Sequence, residues 1–282
     1  MAKSAGFCYG VKRAVETTKK IKLENEAKKV WVLGELIHNS HVIKELDNLG
    51  IRTVDTLPDN QDGICIVRSH GMPPEQINEM TQKGFDVVDL TCLDVKKVQQ
   101  KAIELAKENY LVLILGKPEH PEVVAIKANA KLYSDNVYVI PDIETLKTIE
   151  DKIKQHKKIG IVIQTTQKIE LLQNVINYIT PLCEELKICN TICKSTSRRQ
   201  EEARQLAKKS DLMVVVGGKN SANTTHLAEI LTEITETIHI ETAKDLNNHK
   251  ELIENSQNIG VTAGASTPDK IIKEVITELE KY

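Results

Sequence analysis

Aromatic side chains are scarce in this chain, making up 3% of its 282 residues with a single tryptophan. Stacking platforms for nucleic-acid bases are therefore missing, and a formal net charge of −2 leaves no basic footprint for a phosphate backbone. No stretch approaches the roughly 18 consecutive apolar residues of a membrane helix, and the N-terminus has no apolar signal-peptide core. No strand runs into G-x-G-x-x-G, which disfavours a nicotinamide or flavin dinucleotide, and the spacing of a Walker loop is also absent. The expectation is a cytoplasmic protein with a small-molecule partner and neither nucleic acid nor membrane. A content of 40% hydrophobic and 28% charged residues is ordinary for a globular chain of two or three modest domains.

Against that plain background stands a threefold repeat of residue types that do chemistry. Cys8, Cys92 and Cys193 each open a helical stretch; an apolar strand follows and ends in Gly34, Gly116 or Gly217. Four positions past these glycines come His38, His120 and Ser221. Each unit continues into a second strand and a second polar loop, at Arg68-Ser69-His70-Gly71, Gln164-Thr165-Thr166 and Thr262-Ala263-Gly264-Ala265-Ser266. Helix starts follow these loops at Pro73-Pro74-Glu75, Gln167-Lys168-Ile169-Glu170 and Thr267-Pro268-Asp269.

Six short apolar strands alternate with helices, among them 95–108, 170–178, 197–208 and 270–280. This pattern predicts an α/β fold of three pseudo-threefold-related lobes with largely parallel sheets covered by helices. The lobes are 11–92, 93–189, and 190–282 together with 1–10. Ligands of such sheets sit beyond the carboxyl ends of the strands, where all six polar loops fall.

Six cysteines in a reducing compartment argue against disulfides. Cys65 lies inside the apolar run ICIV and reads as core; Cys183 and Cys189 have no counterpart in the other units and read as structural. Cys8, Cys92 and Cys193 differ. Each is at a helix start, where unpaired amides favour thiolates, and basic residues follow within two turns. Three thiolates from distant segments suit a metal centre with one open position, either zinc with a water or an iron-sulfur cluster. In the loops, Glu122 beside His120 on a proline-stiffened turn suits proton delivery. Residues 217–224 follow a strand and open a helix, so their amides and hydroxyls suit phosphate. His38, His70, Ser221, Asn223 and Ser266 complete an anion pocket of neutral donors and histidines.

The motifs GFCYGV at Gly6 to Val11, Ile37-His38-Asn39, Ser69-His70-Gly71, Thr91-Cys92, His120-Pro121-Glu122, Gln164-Thr165-Thr166, Asn190-Thr191-Ile192-Cys193, Gly218-Lys219-Asn220-Ser221 and Gly260 to Ser266 together resemble the 4-hydroxy-3-methylbut-2-enyl diphosphate reductase family of isoprenoid biosynthesis. The resemblance runs in order from residue 6 to about residue 276. It implies a trefoil around a central 4Fe-4S cluster held by Cys8, Cys92 and Cys193. It also implies an allylic diphosphate substrate held by His38, His70, His120, Thr165, Ser221, Ala222, Asn223 and Ser266. Glu122 is the implied proton donor, with Thr165 and His120 beside it, and a ferredoxin or flavodoxin is the implied source of two electrons. Three positions depart from the family pattern: only residues 1–5 precede the first motif, Leu93 stands where proline is common, and Ala222 replaces a frequent serine. A zinc hydrolase using the same thiolates and a cluster-bearing redox sensor without turnover are the competing classes.

Overall fold

The computed structural model describes residues 1–58 and 63–282. Its strands are β1 (Lys29–Leu33), β2 (Ile51–Val54), β3 (Gly63–Val67), β4 (Asp86–Asp89), β5 (Leu111–Leu115), β6 (Val137–Ile140), β7 (Lys158–Ile163), β8 (Glu185–Cys189), β9 (Leu212–Val216), β10 (Glu236–Ile240) and β11 (Ile259–Ala263). The helices are α1 (Tyr9–Glu24), α2 (Ser40–Asn48), α3 (Pro74–Gln82), α4 (Leu93–Lys107), α5 (Pro121–Lys131), α6 (Ile143–Lys147), α7 (Glu150–His156), α8 (Ile169–Ile179), α9 (Lys194–Ala207), α10 (Ala222–Thr232), α11 (Lys250–Glu254) and α12 (Asp269–Leu279). Among the described residues no helix is long and apolar enough to cross a membrane.

Among the described residues three sheets form, with strand orders β2-β1-β3-β4, β6-β5-β7-β8 and β10-β9-β11. Every pairing in them is parallel. This is the α/β architecture with one parallel sheet per repeat. The six strands expected from apolar runs are the central ones plus β11. The five that were not expected, β2, β4, β6, β8 and β10, all lie at sheet edges. Most of these edge strands are half-wet and carry polar residues, as in ETIHI, so a continuous apolar run does not announce them; β6 (VYVI) is apolar but only four residues long.

The chain divides into two compact units, one of Met1–Lys20, Ile37–Gly50 and Cys193–Tyr282, the other of Ile21–Leu36 and Ile51–Ile192. The second unit holds two sheets. In its β5–β8 sheet, Val112, Ile114 and Val162 pack under α4 and α5, while Leu113, Leu115, Ile161 and Ile163 pack under α6, α7 and α8. Burial on both faces explains why β5 is uniformly apolar. In the first unit, Met213 and Val215 face α9 and α10, and Val214 and Val216 face α12.

The same backbone device closes the first strand of each repeat. Gly34, Gly116 and Gly217 donate their N–H to Val54, Ile140 and Ile240, at 2.8, 3.1 and 2.9 Å. A side chain at these positions would collide with the loop beside it: a Cβ on Gly34 would lie 2.4 Å from Arg68 Nη1, and one on Gly116 2.7 Å from Gln164 Oε1. The repeating glycine thus lets the head of the second polar loop approach the first.

The third sheet has three strands where the others have four. Its open edge is met by the N-terminus, with Ala2 N–H donating to Val261 O at 2.9 Å on β11. This segment precedes Cys8 as β4 precedes Cys92 and β8 precedes Cys193. The described pairing of this segment with the sheet is that single rung. On this correspondence we propose the lobe boundaries 11–92, 93–189 and 190–282 with 1–10.

Candidate functional site

All three repeat cysteines occupy the residue just before a helix. Cys8 precedes α1, and Cys92 and Cys193 are the N-caps of α4 and α9. Helices α4 and α9 begin two and three residues earlier than the ranges 95–108 and 197–208 that hydrophobic periodicity indicates, because the cap sets the boundary. Two sulfurs are gripped by the first turn: Val11 N–H donates to Cys8 Sγ at 3.5 Å and Thr196 N–H to Cys193 Sγ at 3.3 Å. The six cysteines form no disulfide. Cys65 is fully buried and its thiol is pushed up to about 12 by loss of solvent, which suits a core residue. Cys183 and Cys189 pack against apolar clusters.

In the unit containing Cys8 and Cys193, the polar loops meet. Cys8 N–H donates to Ala265 O at 3.2 Å. The adjacent Ser266 Oγ lies 3.2 Å from His38 O and 3.4 Å from Ser221 Oγ. Ser221 is the N-cap of α10, so the opening amides of that helix, including that of Ala222, point toward its start. Asn223 and Ser266 are buried, and Asn223 Nδ2 has no hydrogen-bond partner among the described residues. Asn39, next to His38, caps α2 by accepting from His41 and Val42 N–H at 3.0 and 3.3 Å. That cap fixes the start of the helix beside His38.

In the other unit, Cys92 N–H donates to Ser69 O at 2.9 Å, tying the cysteine to the loop that carries His70. His70 and His120 stand edge to face with ring centroids 5.5 Å apart. Glu122 N–H donates to His120 Nδ1 at 3.2 Å, so a neutral His120 carries its proton on Nε2 and presents a donor there. Glu122 is 1% exposed. Its Oε1 accepts Thr165 N–H and its Oε2 accepts the Thr165 hydroxyl, each at 2.7 Å. Burial lifts its carboxyl from an ordinary 4.5 to about 7; the two Thr165 bonds pull the other way, and Asp94 adds a little to the rise. A carboxyl poised near neutrality and bonded to a hydroxyl is equipped to hand on a proton.

The LytB protein family model matches residues 1–280. The chain belongs to the LytB family. Curated proteins called 4-hydroxy-3-methylbut-2-enyl diphosphate reductase are similar to it along its whole length. The one from Geotalea uraniireducens is 40% identical over 282 residues, covering 100% of this chain and 96% of its own. That from Aquifex aeolicus is 39% identical over 282 residues, covering 100% and 95%. Two solved structures are also similar. One, (E)-4-hydroxy-3-methyl-but-2-enyl diphosphate reductase, the terminal enzyme of the non-mevalonate pathway, has 38% identity and a TM-score of 0.72, covering 100% of this chain and 98% of that one. The other, an E-1-hydroxy-2-methyl-but-2-enyl-4-diphosphate reductase from Plasmodium falciparum, has 25% identity and a TM-score of 0.88, covering 97% and 85%.

This LytB-family chain also has polar residues beyond the candidate site set, among them Gln164 of the second polar loop. Gln164 is fully buried and accepts Lys117 N–H at 3.3 Å, joining the two loops of the second repeat. Thr196 supports Cys193, with its hydroxyl 3.0 Å from the sulfur. Glu202 accepts Ser4 N–H at 2.8 Å. The i,i+3 spacing of Thr196, Arg199 and Glu202 puts them on one face of α9, and that spacing was the available signal.

Proposed function

We propose that the chain is a 4-hydroxy-3-methylbut-2-enyl diphosphate reductase, an oxidoreductase that converts its allylic alcohol to isopentenyl and dimethylallyl diphosphate. The reaction takes up two electrons and two protons and releases one water. The observation that carries the chemistry is the buried Glu122 carboxyl, locked by Thr165 and held near neutrality. It is joined by family membership over the full chain and by the cysteine at the head of a helix in each repeat.

The donor set fits an iron-sulfur group: three thiols at helix N-termini, two with sulfurs already accepting backbone N–H, and no competing disulfide. In this proposal Cys8, Cys92 and Cys193 would hold a 4Fe-4S cluster, which when bound supplies electrons and a Lewis-acidic iron for the substrate hydroxyl. Glu122, protonated below about pH 7, gives its proton through the Thr165 hydroxyl to the departing oxygen. A relay of this kind leaves the carboxylate stabilised by both Thr165 donors once the proton is gone.

The diphosphate tail is assigned to His38, His70, His120, Ser221, Asn223 and Ser266, with the Ala222 amide at the helix start. The unsatisfied Asn223 Nδ2 and the Nε2 donor of His120 support an anion as the ligand. An amide donor such as Asn223 Nδ2 binds phosphate oxygens without adding a charge that would have to be desolvated. A small electron-transfer protein of the ferredoxin or flavodoxin class is proposed as the reductant.

Anaerobic purification followed by visible and spin-resonance spectra, iron and sulfide analysis, and turnover with a chemically reduced dye tests the assignment. Iron, sulfide and conversion of the allylic diphosphate are expected. A colourless protein with one zinc, or a cluster-loaded protein that leaves the substrate intact, overturns it.

A further inference from the structure

Arg199 is a buried cation that the proposed function leaves unused. It lies six residues past Cys193 on α9 and is 3% exposed. Its Nη2 donates to the carbonyls of Ser4 and Gly6, both at 2.7 Å, gripping the segment that leads into Cys8. Glu202, one turn on, accepts the Ser4 N–H at 2.8 Å and pairs with Arg198 Nε at 2.7 Å. The helix that Cys193 begins therefore holds both polar groups of the Ser4 backbone.

The rest of the guanidinium is unsatisfied. Nε and Nη1 are buried with no hydrogen-bond partner among the described residues. Burying a cation without compensation is expensive. Burial pulls its pKa down, and the groups that oppose this are first Cys8, then Cys193, then Glu202. Two thiolates would thus supply the compensation that the fold leaves out.

We propose that Arg199 is the positioning residue of the thiolate centre: its fixed charge offsets Cys8 and Cys193 and makes the bound cluster easier to reduce, while Nη2 ties the Cys8 segment to α9. The inference rests on the cluster assignment above. Charge and hydrogen bonding around the sulfurs are among the levers that set the reduction potential of a cluster, and guanidinium is the cation best suited to stay charged when buried.

The test is a spectroelectrochemical titration of anaerobically purified holoprotein, with iron and sulfide counted in every sample, for the parent, Arg199→Gln and Arg199→Lys. Gln retains an N–H donor for the Ser4 and Gly6 carbonyls but removes the charge. It is expected to move the midpoint potential in the negative direction and to speed iron loss to a chelator several-fold. Lys retains the charge and is expected to keep the parental potential, with faster hydrogen exchange over residues 1–8. A cluster-loaded Gln variant with the parental potential overturns the proposal. Should that variant not fold, Lys decides: a parental potential supports the charge role, and a potential displaced in the negative direction with the charge still present refutes it. Absence of iron and sulfide from the parent would instead sink the cluster assignment, so the two failures are distinguishable.

Discussion

Replacing Glu122 by glutamine separates the ionisation of this carboxyl from its packing. The side chains have the same shape, and glutamine can reproduce both contacts, with Oε1 accepting Thr165 N–H and Nε2 donating to Thr165 Oγ1. What it cannot do is ionise. The folded protein keeps a proton on Glu122 up to about pH 7, whereas the ordinary value for glutamate is 4.5. Through that window the folded state holds more protons than the unfolded state, so this group makes stability fall as pH rises. At about 1.4 kcal/mol per pH unit of difference, ionising Glu122 in place costs about 3 kcal/mol by pH 8. Glu122→Gln should therefore match the parent near pH 4.5 and exceed it by up to about 3 kcal/mol at pH 8. Urea unfolding of the two proteins in parallel across this range reads the difference directly. Turnover of the variant should meanwhile drop by about 10²–10⁴-fold, the usual contribution of a positioned proton donor, with cluster content unchanged. Stability curves that stay parallel from pH 4.5 to 8 would refute the claim that the buried carboxyl is held near neutrality. Normal turnover would remove Glu122 from the donor role.

Thr165→Val deletes the hydroxyl that favours the Glu122 carboxylate, so the pKa rises further. A bond to a charged group contributes about 1.5–3 kcal/mol, and the alkaline limb of the kcat profile should move up by about 1–2 pH units; an unmoved or lowered limb contradicts the relay. Cys193→Ser should lower the iron bound per chain, whereas Cys65→Ala should leave it unchanged, because Cys65 is fully buried in the core with its thiol pushed up to about 12; equal iron loss in both would undo the division of the cysteines. Gly116→Ala forces a Cβ to within 2.7 Å of Gln164 Oε1 and Val123 Cγ2, and overpacking of this kind costs about 1–3 kcal/mol. A melting temperature equal to the parent's would show that the loop yields freely.

Much of this architecture is legible in the chain because the repeat couples chemistry to geometry. A cysteine, an apolar run, a glycine and a polar loop recur three times, and apolar runs such as LVLIL become strands buried on both faces. Edge strands escaped notice because pairing stabilises them on one side only, and DVVD or ETIHI is no more apolar than a loop. The cysteines mark the helix starts at Leu93 and Lys194 more closely than the apolar periodicity over 95–108 and 197–208, because backbone capping sets the boundary and hydrophobic spacing does not. Candidate residues were found where their types are chemically loaded, as with His120, Glu122 and Ser221. Arg199 is legible in one dimension as one of the basic residues that follow Cys193, whereas its burial, and the grip that it and Glu202 have on residues 4–6, are not.

By itself the sequence determined the α/β class, one parallel sheet per repeat, the helix-capping cysteines and the residue types available to a thiolate centre and an anion. Local patterning suffices for these, because strand, turn and cap preferences act over a few residues. Tertiary structure alone decided that Glu122 is sealed from water and locked by Thr165, 43 residues away in the chain. It alone decided that the N-terminus contributes the last rung of the third sheet, and that Arg199 is buried with two unsatisfied nitrogens. Desolvation and long-range pairing depend on what the folded chain places around a group, and no short window of residues contains that.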